Sequence, residues 1–330
     1  MKAVIPVAGI GTRLRPHTHT QPKSLIPVAG KPILAHIVDQ LVEAGINEFV
    51  FIIGYLGDKV EEYILKTYPN IKTQFVIQTS GKGTGHAIWL AKDAIKDSPI
   101  LIVFGDTICE LNWADILTNE NSILGVKVVE DPRHFGVAET NEQGLITKLV
   151  EKPAIPKSNL ALVGIYKINQ THLLMECLEH NIQNSIKTHN EFHLTDALMC
   201  MVNKGAQIST YNVNLWFDCG KKDILLQTNE LLLKRNYSNK DKHYDFINTI
   251  IIEPVFIGEN AKISNSIIGP NVSIGEKANI EYSIIKESII GPYAELKNAV
   301  LSQSLIGNDA FLQGTVHSLN LGDSAEINFS

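Results

Sequence analysis

The sequence has few cysteines, no excess of positive charge and no long apolar run. Its four cysteines among 330 residues show neither CxxC nor metal-finger spacing, so we expect reduced thiols and no disulfide scaffold. A net charge of −6 argues against general nucleic-acid affinity, because a polyanion is bound by clustered Lys and Arg. No stretch approaches the roughly 20 apolar residues of a membrane span, and the N-terminal apolar run is too short for a signal peptide. These absences predict a cytoplasmic protein without a nucleic-acid or membrane partner.

The first part of the chain alternates apolar strands with helical patterns. Predicted strands cover residues 3–7, 48–53, 73–78 and 100–104. Predicted helices cover residues 32–44, 60–66 and 87–94. This alternation with short links is typical of a mostly parallel sheet covered by helices, and near-continuous Val, Ile and Leu runs indicate strands buried on both faces. We expect strands over 124–129, 136–139 and 162–168 to extend the sheet, and a helix over 224–234 to close the domain.

A repeat begins at residue 257, after a polar stretch at 235–244 that reads as a linker. Apolar residues then recur at steps of five or six, at Ile257, Ile263, Ile268, Ile274, Ile280, Ile285, Ile290, Leu296, Leu301, Ile306 and Leu312. This is the pattern of a hexapeptide β-helix, in which the apolar residues fill a triangular prism and we expect the glycines beside several of them to permit tight corners. The sequence therefore predicts two domains, 1–240 and 241–330, the second with about three coils.

A Gly-rich loop with two cations lies between the first strand and the first helix. It runs from Gly9 through Gly11 and Arg13 to Lys23. Glycine lets backbone N–H groups approach phosphate oxygens, and the two cations can neutralise a triphosphate undergoing substitution. The loop is not a P-loop, since no Gly-Lys-Ser/Thr follows, and it lacks the third Gly of the dinucleotide fingerprint.

The run GIGTRLRPHTHTQPKSLIPVAGKPI, residues 9–33, resembles the signature of the sugar-1-phosphate nucleotidyltransferases. The whole chain is similar to their glucose-1-phosphate thymidylyl- and uridylyltransferases, especially long forms with a β-helix. The resemblance implies an α/β fold, in which a mostly parallel, Rossmann-like nucleotidyltransferase domain precedes a small left-handed parallel β-helix. It also implies transfer of a nucleoside monophosphate from dTTP or UTP to a sugar 1-phosphate, with glucose 1-phosphate as the expected acceptor. Pyrophosphate would be released and Mg²⁺ would be the cofactor.

The same resemblance assigns roles to residues along the chain. Arg13 and Lys23 would be catalytic, and Asp106 and Asp218 would hold the metal, a suitable pair of ligands for a hard cation. Nucleotide binding would fall to Ala8, Gly9, Gly11, Thr12, Gln78 and Gly83. The sugar phosphate would be bound by Gly136, Glu151, Lys152, Tyr166, Glu191 and Trp216.

Some features leave alternatives open. Ser24, Thr107 and His189 differ from the short thymidylyl enzymes, which leaves open the choice between thymine and uracil and part of the binding of the sugar phosphate. A non-catalytic regulatory subunit that binds nucleotide sugars is a second interpretation. A bifunctional enzyme with an acyltransferase β-helix is a third, disfavoured because there are only about three coils and His317 is the only histidine from residue 257 onward. The flat faces of a β-helix suit packing against another subunit, so we expect a homo-oligomer.

Overall fold

The computed structural model describes residues 1–236 and 245–314. The chain divides into two compact units, residues 1–228 and 229–330. The boundary predicted at residue 240, most of the predicted linker and His317 lie outside the described residues. Within the described ranges, no helix combines the length and the hydropathy that crossing a bilayer requires.

The first unit consists of strands that alternate with helices for most of its length. Its strands are β1 (Lys2–Pro6), β2 (Pro27–Val28), β3 (Lys31–Pro32), β4 (Glu48–Ile53), β5 (Lys72–Ile77), β6 (Ile100–Val103), β7 (Thr107–Glu110), β8 (Ser122–Val128), β9 (Gly136–Thr140), β10 (Ile146–Glu151), β11 (Leu160–Ile168), β12 (Ile208–Asn212) and β13 (Leu215–Asp218). Its helices are α1 (Ile33–Glu43), α2 (Gly57–Thr67), α3 (Thr84–Leu90), α4 (Lys92–Ile95), α5 (Trp113–Leu117), α6 (Thr171–Gln183), α7 (Leu194–Asn203) and α8 (Lys222–Asn236), the last of which begins in this unit.

The central sheet has the strand order β10-β9-β11-β6-β1-β4-β5, and β8 pairs with both β11 and β12. Strands β5, β4, β1 and β6 are parallel, as predicted, whereas β11 joins β6 antiparallel. The predicted strands after residue 106 do extend the sheet, and the result is a mixed sheet. The fold class expected from the sequence is therefore confirmed for this unit.

The core of this unit lies between the sheet and its helices. Val4, Val50 and Ile102 from the parallel strands are buried together with Ile88 of α3 and Leu198 of α7. These strands are apolar at almost every position because helices cover the sheet. The helix predicted over 87–94 is two helices, α3 and α4, which meet at Ala91. Helices α6 and α7 and strands β10 and β12 were not predicted from the sequence.

The loop after β1 is compactly folded. It contains three short turns of 3₁₀ helix, at Thr12–Leu14, His17–His19 and Lys23–Leu25. The buried Thr18 hydroxyl donates to the Gly11 carbonyl at 2.9 Å. Gly11 has a φ of 69°, and a Cβ there would lie 3.0 Å from side-chain atoms of Thr18 and Lys23. Glycine is therefore required at this position by both backbone conformation and space.

The second unit contains short strands that stack in register. They are β14 (Ile250–Ile251), β15 (Val255–Ile257), β16 (Lys262–Ser264), β17 (Ile267–Ile268), β18 (Val272–Ile274), β19 (Asn279–Glu281), β20 (Ile284–Lys286), β21 (Ile289–Ile290), β22 (Glu295–Lys297), β23 (Val300–Ser302), β24 (Leu305–Ile306) and β25 (Phe311–Gln313). They form three parallel sheets, β14-β17-β20-β23, β15-β18-β21-β24 and β16-β19-β22-β25. This arrangement is consistent with the predicted left-handed β-helix.

The apolar residues predicted to fill the prism do form its core. Those from Ile263 to Leu296 are buried, while Ile257, Leu301, Ile306 and Leu312 at the two ends are partly buried against them. As predicted, Ile257, Ile274, Ile290 and Ile306 occupy equivalent positions in successive coils, where each pairs with the next.

The corners are made differently from our expectation. Residues with a left-handed backbone are mostly not glycine, and most follow one another at steps of five or six positions. One set of them, Asn248, Asn265, Tyr282 and Asn298, recurs once per coil. A Cβ on Gly258 or Gly275 would instead lie 2.5 or 2.3 Å from a backbone nitrogen of the next coil. These glycines are thus required for close stacking of the coils, and asparagine, which tolerates the left-handed region, occupies many of the corners.

Candidate active site

A cavity of about 830 Å³ opens beside the loop that follows β1. It lies at the carboxyl ends of the parallel strands, which is where open α/β sheets bind ligands. Its lining includes Ala8, Gly9, Gly11, Thr12, Lys23, Gln78, Gly83, Asp106 and Glu191, all of which the sequence predicted as site residues. The structure therefore brings the predicted nucleotide-binding residues to one place.

Two cations and two carboxylates meet at one side of this cavity. Lys23 Nζ lies 2.5 Å from Asp106 Oδ2 and 3.7 Å from Asp218 Oδ1. Arg13 Nη2 lies 3.7 Å from Asp218 Oδ2. The two cations are far from the two aspartates in the sequence, so the fold brings the four groups together.

The strand ribbon β7–β13 places the two carboxylates side by side. Asp218 pairs with Thr107 in this ribbon, and Asp106 immediately precedes Thr107. The backbone N–H of Cys219 also donates to the Asp106 carbonyl at 3.0 Å. Gly220 follows, and a Cβ at that position would lie 2.5 Å from Arg13 Nη2. The backbone thus fixes both aspartates and leaves room for the arginine.

The two aspartates differ in their ionisation. Burial disfavours the charged form of Asp106. The charge and the hydrogen bond of the adjacent Lys23 ammonium outweigh this effect, so the pKa of the Asp106 carboxyl is lowered. For Asp218, burial and the negative charge of Asp106 raise the pKa, although Lys23 and Arg13 oppose the shift. Two carboxylates that repel each other in this way create a site that favours additional positive charge.

The donor set suits a hard cation shared with a ligand. Asp106 and Asp218 supply carboxylate oxygens, the ligands that Mg²⁺ prefers, and Mg²⁺ is usually held by one or two carboxylates plus phosphate oxygens. Among the residues that the structure describes, no group of three or more His, Cys, Asp or Glu side chains could hold a metal. A metal between these two aspartates would therefore complete its coordination with substrate and water.

Gln78, which follows β5, is held by the loop that precedes helix α3. Its Nε2 donates to the Gly83 carbonyl at 3.2 Å and lies 3.3 Å from His86 Nδ1. Burial, with a smaller contribution from Lys82, lowers the pKa of His86, so the ring is neutral at pH 7 and can accept this hydrogen bond. With the amide nitrogen occupied, the side-chain carbonyl of Gln78 remains available as an acceptor.

The loop around Gly83 is joined to the segment that carries Glu191. The Gly85 N–H donates to the Phe192 carbonyl, and the Phe192 N–H donates to the Lys82 carbonyl, both at 2.8 Å. Gly83 has a φ of 102°, and a Cβ there would lie 2.4 Å from the Phe192 oxygen. These two segments therefore form one hydrogen-bonded unit in which glycine is required for space.

A second group of predicted residues surrounds Glu151 at the end of β10. Gly136 pairs with Glu151 across β9 and β10. Glu151 Oε2 accepts a hydrogen bond from the Thr195 hydroxyl at 2.7 Å, and its Oε1 lies 3.7 Å from Lys152 Nζ. Lys152 has a φ of 42° although it precedes a proline, so its backbone is strained. Such strain is common at functional sites.

The remaining predicted residues are aromatic. Tyr166 is buried and packs edge-on against Phe104, a residue of the cavity wall, at 5.5 Å between ring centroids. Burial raises the pKa of Tyr166, and Glu151 adds to the shift. Trp216 packs edge-on against Phe135 at 4.8 Å. Its indole Nε1 is buried and has no hydrogen-bond partner among the described residues.

His193 had not been identified from the sequence, and Ser24 had been noted only as a difference from the short thymidylyl enzymes. His193 lies between Glu151 and Glu191, and Ser24 lines the cavity with a buried hydroxyl that has no partner among the described residues. Spacing from Glu191 is the only signal that could have pointed to His193. His189, by contrast, is exposed at the tip of a turn, with a φ of 49°.

A model of the nucleotidyl transferase family matches residues 2–235. The chain belongs to this family. The match covers the loop, the cavity and both aspartates, and ends one residue before the end of α8.

Three relatives illustrate how the chain compares with other nucleotidyl transferases. It is 34% identical over 242 residues to the low-salt glycan biosynthesis nucleotidyltransferase Agl11 of Haloferax volcanii, covering 71% of this chain and 66% of that protein. It is 37% identical over 266 residues to the bifunctional protein GlmU of Methanocaldococcus jannaschii, covering 79% of this chain and 61% of that protein. It is 29% identical over 294 residues to the glucose-1-phosphate thymidylyltransferase of Streptomyces griseus, covering 82% and 81%. The chain thus spans less than two thirds of the first two relatives.

A solved structure supports the fold of the first unit. The crystal structure of a UDP-glucose pyrophosphorylase complexed with UDP-glucose superimposes with a TM-score of 0.62 and 26% sequence identity. The superposition covers 71% of this chain and 98% of that chain.

Proposed function

We propose that this protein transfers a nucleoside monophosphate from dTTP or UTP to a sugar 1-phosphate, releasing pyrophosphate. The observation that carries the proposal is the position of Lys23, which contacts both Asp106 and Asp218 at the edge of the cavity. A cation beside two carboxylates is suited to a triphosphate accompanied by a divalent metal. We propose glucose 1-phosphate as the acceptor.

The glycine loop and its cations would bind the triphosphate. Gly9 and Gly11 line the cavity together with Ala8 and Thr12, and glycines there would let backbone N–H groups approach phosphate oxygens. Arg13 and Lys23 would neutralise charge on the α-phosphate and on the pyrophosphate that leaves. Lys23 would exchange its contact with Asp106 for contacts with phosphate oxygens as the substrate enters.

The base would be read by Gln78. Its free side-chain carbonyl can accept the N3–H of uracil or thymine, whereas cytosine presents an unprotonated N3 and offers no donor there. The backbone of Gly83 would supply further contacts to the base. Thymidylyl transfer is our lead proposal, supported by the Streptomyces griseus thymidylyltransferase, which matches 82% of this chain. Uridylyl transfer is the alternative, supported by the similarity to a solved UDP-glucose pyrophosphorylase.

The sugar phosphate would lie against the group around Glu151. Glu151 and Glu191 would accept hydrogen bonds from sugar hydroxyls, and Lys152 would bind the phosphate. Gly136 would give the sugar room, and Tyr166 and the unpaired indole N–H of Trp216 would complete the pocket. The phosphate oxygen of the sugar would then attack the α-phosphorus in line with the leaving pyrophosphate.

Asp106 and Asp218 would hold one Mg²⁺. When bound, the ion would neutralise charge on the triphosphate oxygens. The protein residues would otherwise act by orientation and electrostatics, because a phosphate oxygen is already a competent nucleophile at neutral pH.

We also propose the two-domain division at residues 240 and 241, and a homo-oligomer assembled through the β-helix. A non-catalytic subunit is less well supported, because Arg13, Lys23, Asp106 and Asp218 are all present and mutually in contact range. An acyltransferase activity has no support in the residues described.

A coupled assay of pyrophosphate release tests the proposal. The protein is incubated with Mg²⁺, glucose 1-phosphate and one of dTTP, UTP, CTP, ATP or GTP. We expect release with dTTP or UTP only, and only when the sugar phosphate is present. Asp218→Asn should abolish release, whereas Asp58→Asn on the exposed surface of α2 should not. No release with any nucleotide would contradict the enzyme and favour the regulatory subunit.

A further inference from the structure

The side chain of His193 lies between two glutamates. Its Nδ1 is 3.6 Å from Glu151 Oε1, and its Nε2 is 4.0 Å from Glu191 Oε2. The imidazole is only 6% exposed. Nε2 is fully buried and has no hydrogen-bond partner among the described residues. Burial of an unpaired polar atom is unfavourable, so a hydrogen-bond acceptor near Nε2 would be stabilising.

The two glutamate side chains differ in how freely they can move to accept a hydrogen bond from Nε2. Glu151 is the more restrained of the two, because its side chain is 10% exposed and its Oε2 accepts a hydrogen bond from the Thr195 hydroxyl at 2.7 Å. The Glu191 side chain is 48% exposed and lines the cavity. Its carboxylate has to approach by about 1 Å to come within hydrogen-bond distance of Nε2.

The backbone on either side of His193 is held in place. Glu191 and Thr188 exchange two backbone hydrogen bonds at 3.0 Å, which close a two-residue turn. Phe192 is bonded to the loop around Gly83, and the N–H of Leu194 donates to the Thr84 hydroxyl at 3.1 Å. Because the backbone is fixed, side-chain rotations of His193 and the two glutamates are what remain to shorten the two distances.

We propose that His193 is a positioning residue for the sugar, whose two ring nitrogens bridge Glu151 and Glu191 when the sugar phosphate binds. The bridge turns both carboxylates toward one ligand, so that their remaining lone pairs accept hydrogen bonds from sugar hydroxyls. This inference rests on the proposed function, which assigns both glutamates to the sugar. Hydrogen bonds in an active site are often long before substrate binds and shorten afterwards. The two distances from His193 to the glutamates, 3.6 and 4.0 Å, must shorten in this way for the bridge to form.

A bridge to two carboxylates requires a proton on each ring nitrogen. The titratable groups that face the imidazole are Glu151, Glu191 and Asp196, which are acidic, and Lys152, which contacts Glu151 from the neighbouring position. Loss of either proton breaks the bridge, so the bridge predicts that sugar binding weakens as the pH rises.

Steady-state kinetics on three variants test the proposal. His193→Phe keeps the ring shape and removes both nitrogens, whereas His193→Gln keeps a donor that does not titrate. His172→Gln, at an exposed position of α6, is the matched control. We expect His193→Phe to raise KM for glucose 1-phosphate about tenfold or more, as for loss of a hydrogen bond to a charged group, with KM for the nucleotide changed less than about twofold. His193→Gln should recover most of the loss.

The pH profile separates positioning from a purely structural role. Between pH 6 and 8, KM for the sugar phosphate should rise in the native protein and in His172→Gln relative to His193→Gln. Ionisation of the substrate phosphate is common to all three and cancels in this comparison. An unchanged sugar KM in His193→Phe, an equal rise of both KM values, or the same pH profile in His193→Gln as in the native protein would overturn the bridge.

Two further results are decisive. If His193→Phe does not fold, as judged by thermal melting, the pH profile of His193→Gln decides. If the native protein forms no nucleotide sugar, the proposed reaction fails, and calorimetric binding of glucose 1-phosphate to the native protein and to His193→Gln still tests the bridge. A native protein that neither reacts with nor binds glucose 1-phosphate overturns both proposals.

Discussion

The two units of this protein bring residues together in opposite ways. In the first unit, the contact between Lys23 and Asp106 joins residues 83 positions apart in the chain, and Asp218 comes from still further away. In the second unit, each core residue pairs with its equivalent in the next coil, as Ile263 pairs with Ile280 and Ile280 with Leu296. One unit thus concentrates charge at a single place, and the other repeats one apolar contact along an axis.

From this difference we expect substitutions in the first unit to affect turnover and substitutions in the second unit to affect stability. A solenoid is stabilised by a sum of similar contacts between neighbouring coils, so a core substitution there should act on unfolding. The charged groups beside the cavity are partly desolvated and held in place, so their removal should act on turnover. Each prediction below tests this separation with a substitution in one unit.

The largest effect is expected for Lys23→Met. Loss of the ammonium removes the charge that compensates both aspartates and faces the triphosphate, so pyrophosphate release should fall by about 10³-fold. The assay is the coupled release of pyrophosphate at saturating substrates. Lys72→Met, whose side chain is 76% exposed and pairs only at the surface with Glu48, is the control and should retain full turnover. Retention of more than about a tenth of the activity by Lys23→Met would show that this lysine is not catalytic.

A smaller effect, on stability, is expected for Ile280→Ala in the core of the β-helix. This side chain is fully buried, and its truncation should lower the free energy of unfolding by about 3 kcal/mol. Ile284→Ala is the matched control, because Ile284 is 45% exposed in the next strand and should lose less than about 1 kcal/mol. Chemical denaturation followed by circular dichroism measures both. A loss of turnover by folded Ile280→Ala would contradict the separation of the two roles.

The smallest effect concerns a corner of the β-helix. Tyr282 is exposed and has a φ of 50°, a left-handed conformation that costs a residue with a Cβ roughly 1 kcal/mol. Tyr282→Gly should therefore raise the free energy of unfolding by up to about 1 kcal/mol. Ile284→Gly, in an extended strand two residues later, should lower it instead. If both substitutions changed stability in the same direction, backbone conformation would not be what distinguishes these positions.

The sequence allowed far more of the second unit to be predicted than of the site. The apolar steps from Ile257 to Leu312 identified the core of the β-helix because its contacts are local and periodic. Its corners were misassigned, since a pattern of glycines does not reveal whether conformation or space requires them. In the first unit, β1, β4, β5 and β6 were predicted from their apolar runs, whereas helices α6 and α7 were missed.

For the site, the glycine loop was identified from its glycines and two cations and the two aspartates through resemblance to a family, and the structure brings them together. Their assigned roles remain predictions. His193 was missed because its importance comes from being between Glu151 and Glu191, which are separated by 40 residues in the chain. Apart from its spacing from Glu191, no local pattern records such a position.

The hydrogen bonds between the Gly83 loop and the Phe192 segment have a consequence for protein engineering. A designer who wished to change the accepted sugar would exchange the segment around Glu191. The Phe192 carbonyl of that segment, however, fills the space beside Gly83. A transplanted segment with a different path would therefore displace the loop that holds Gln78. The two segments form a single exchangeable cassette, and grafts that carry both should tolerate new specificities better than grafts of either one.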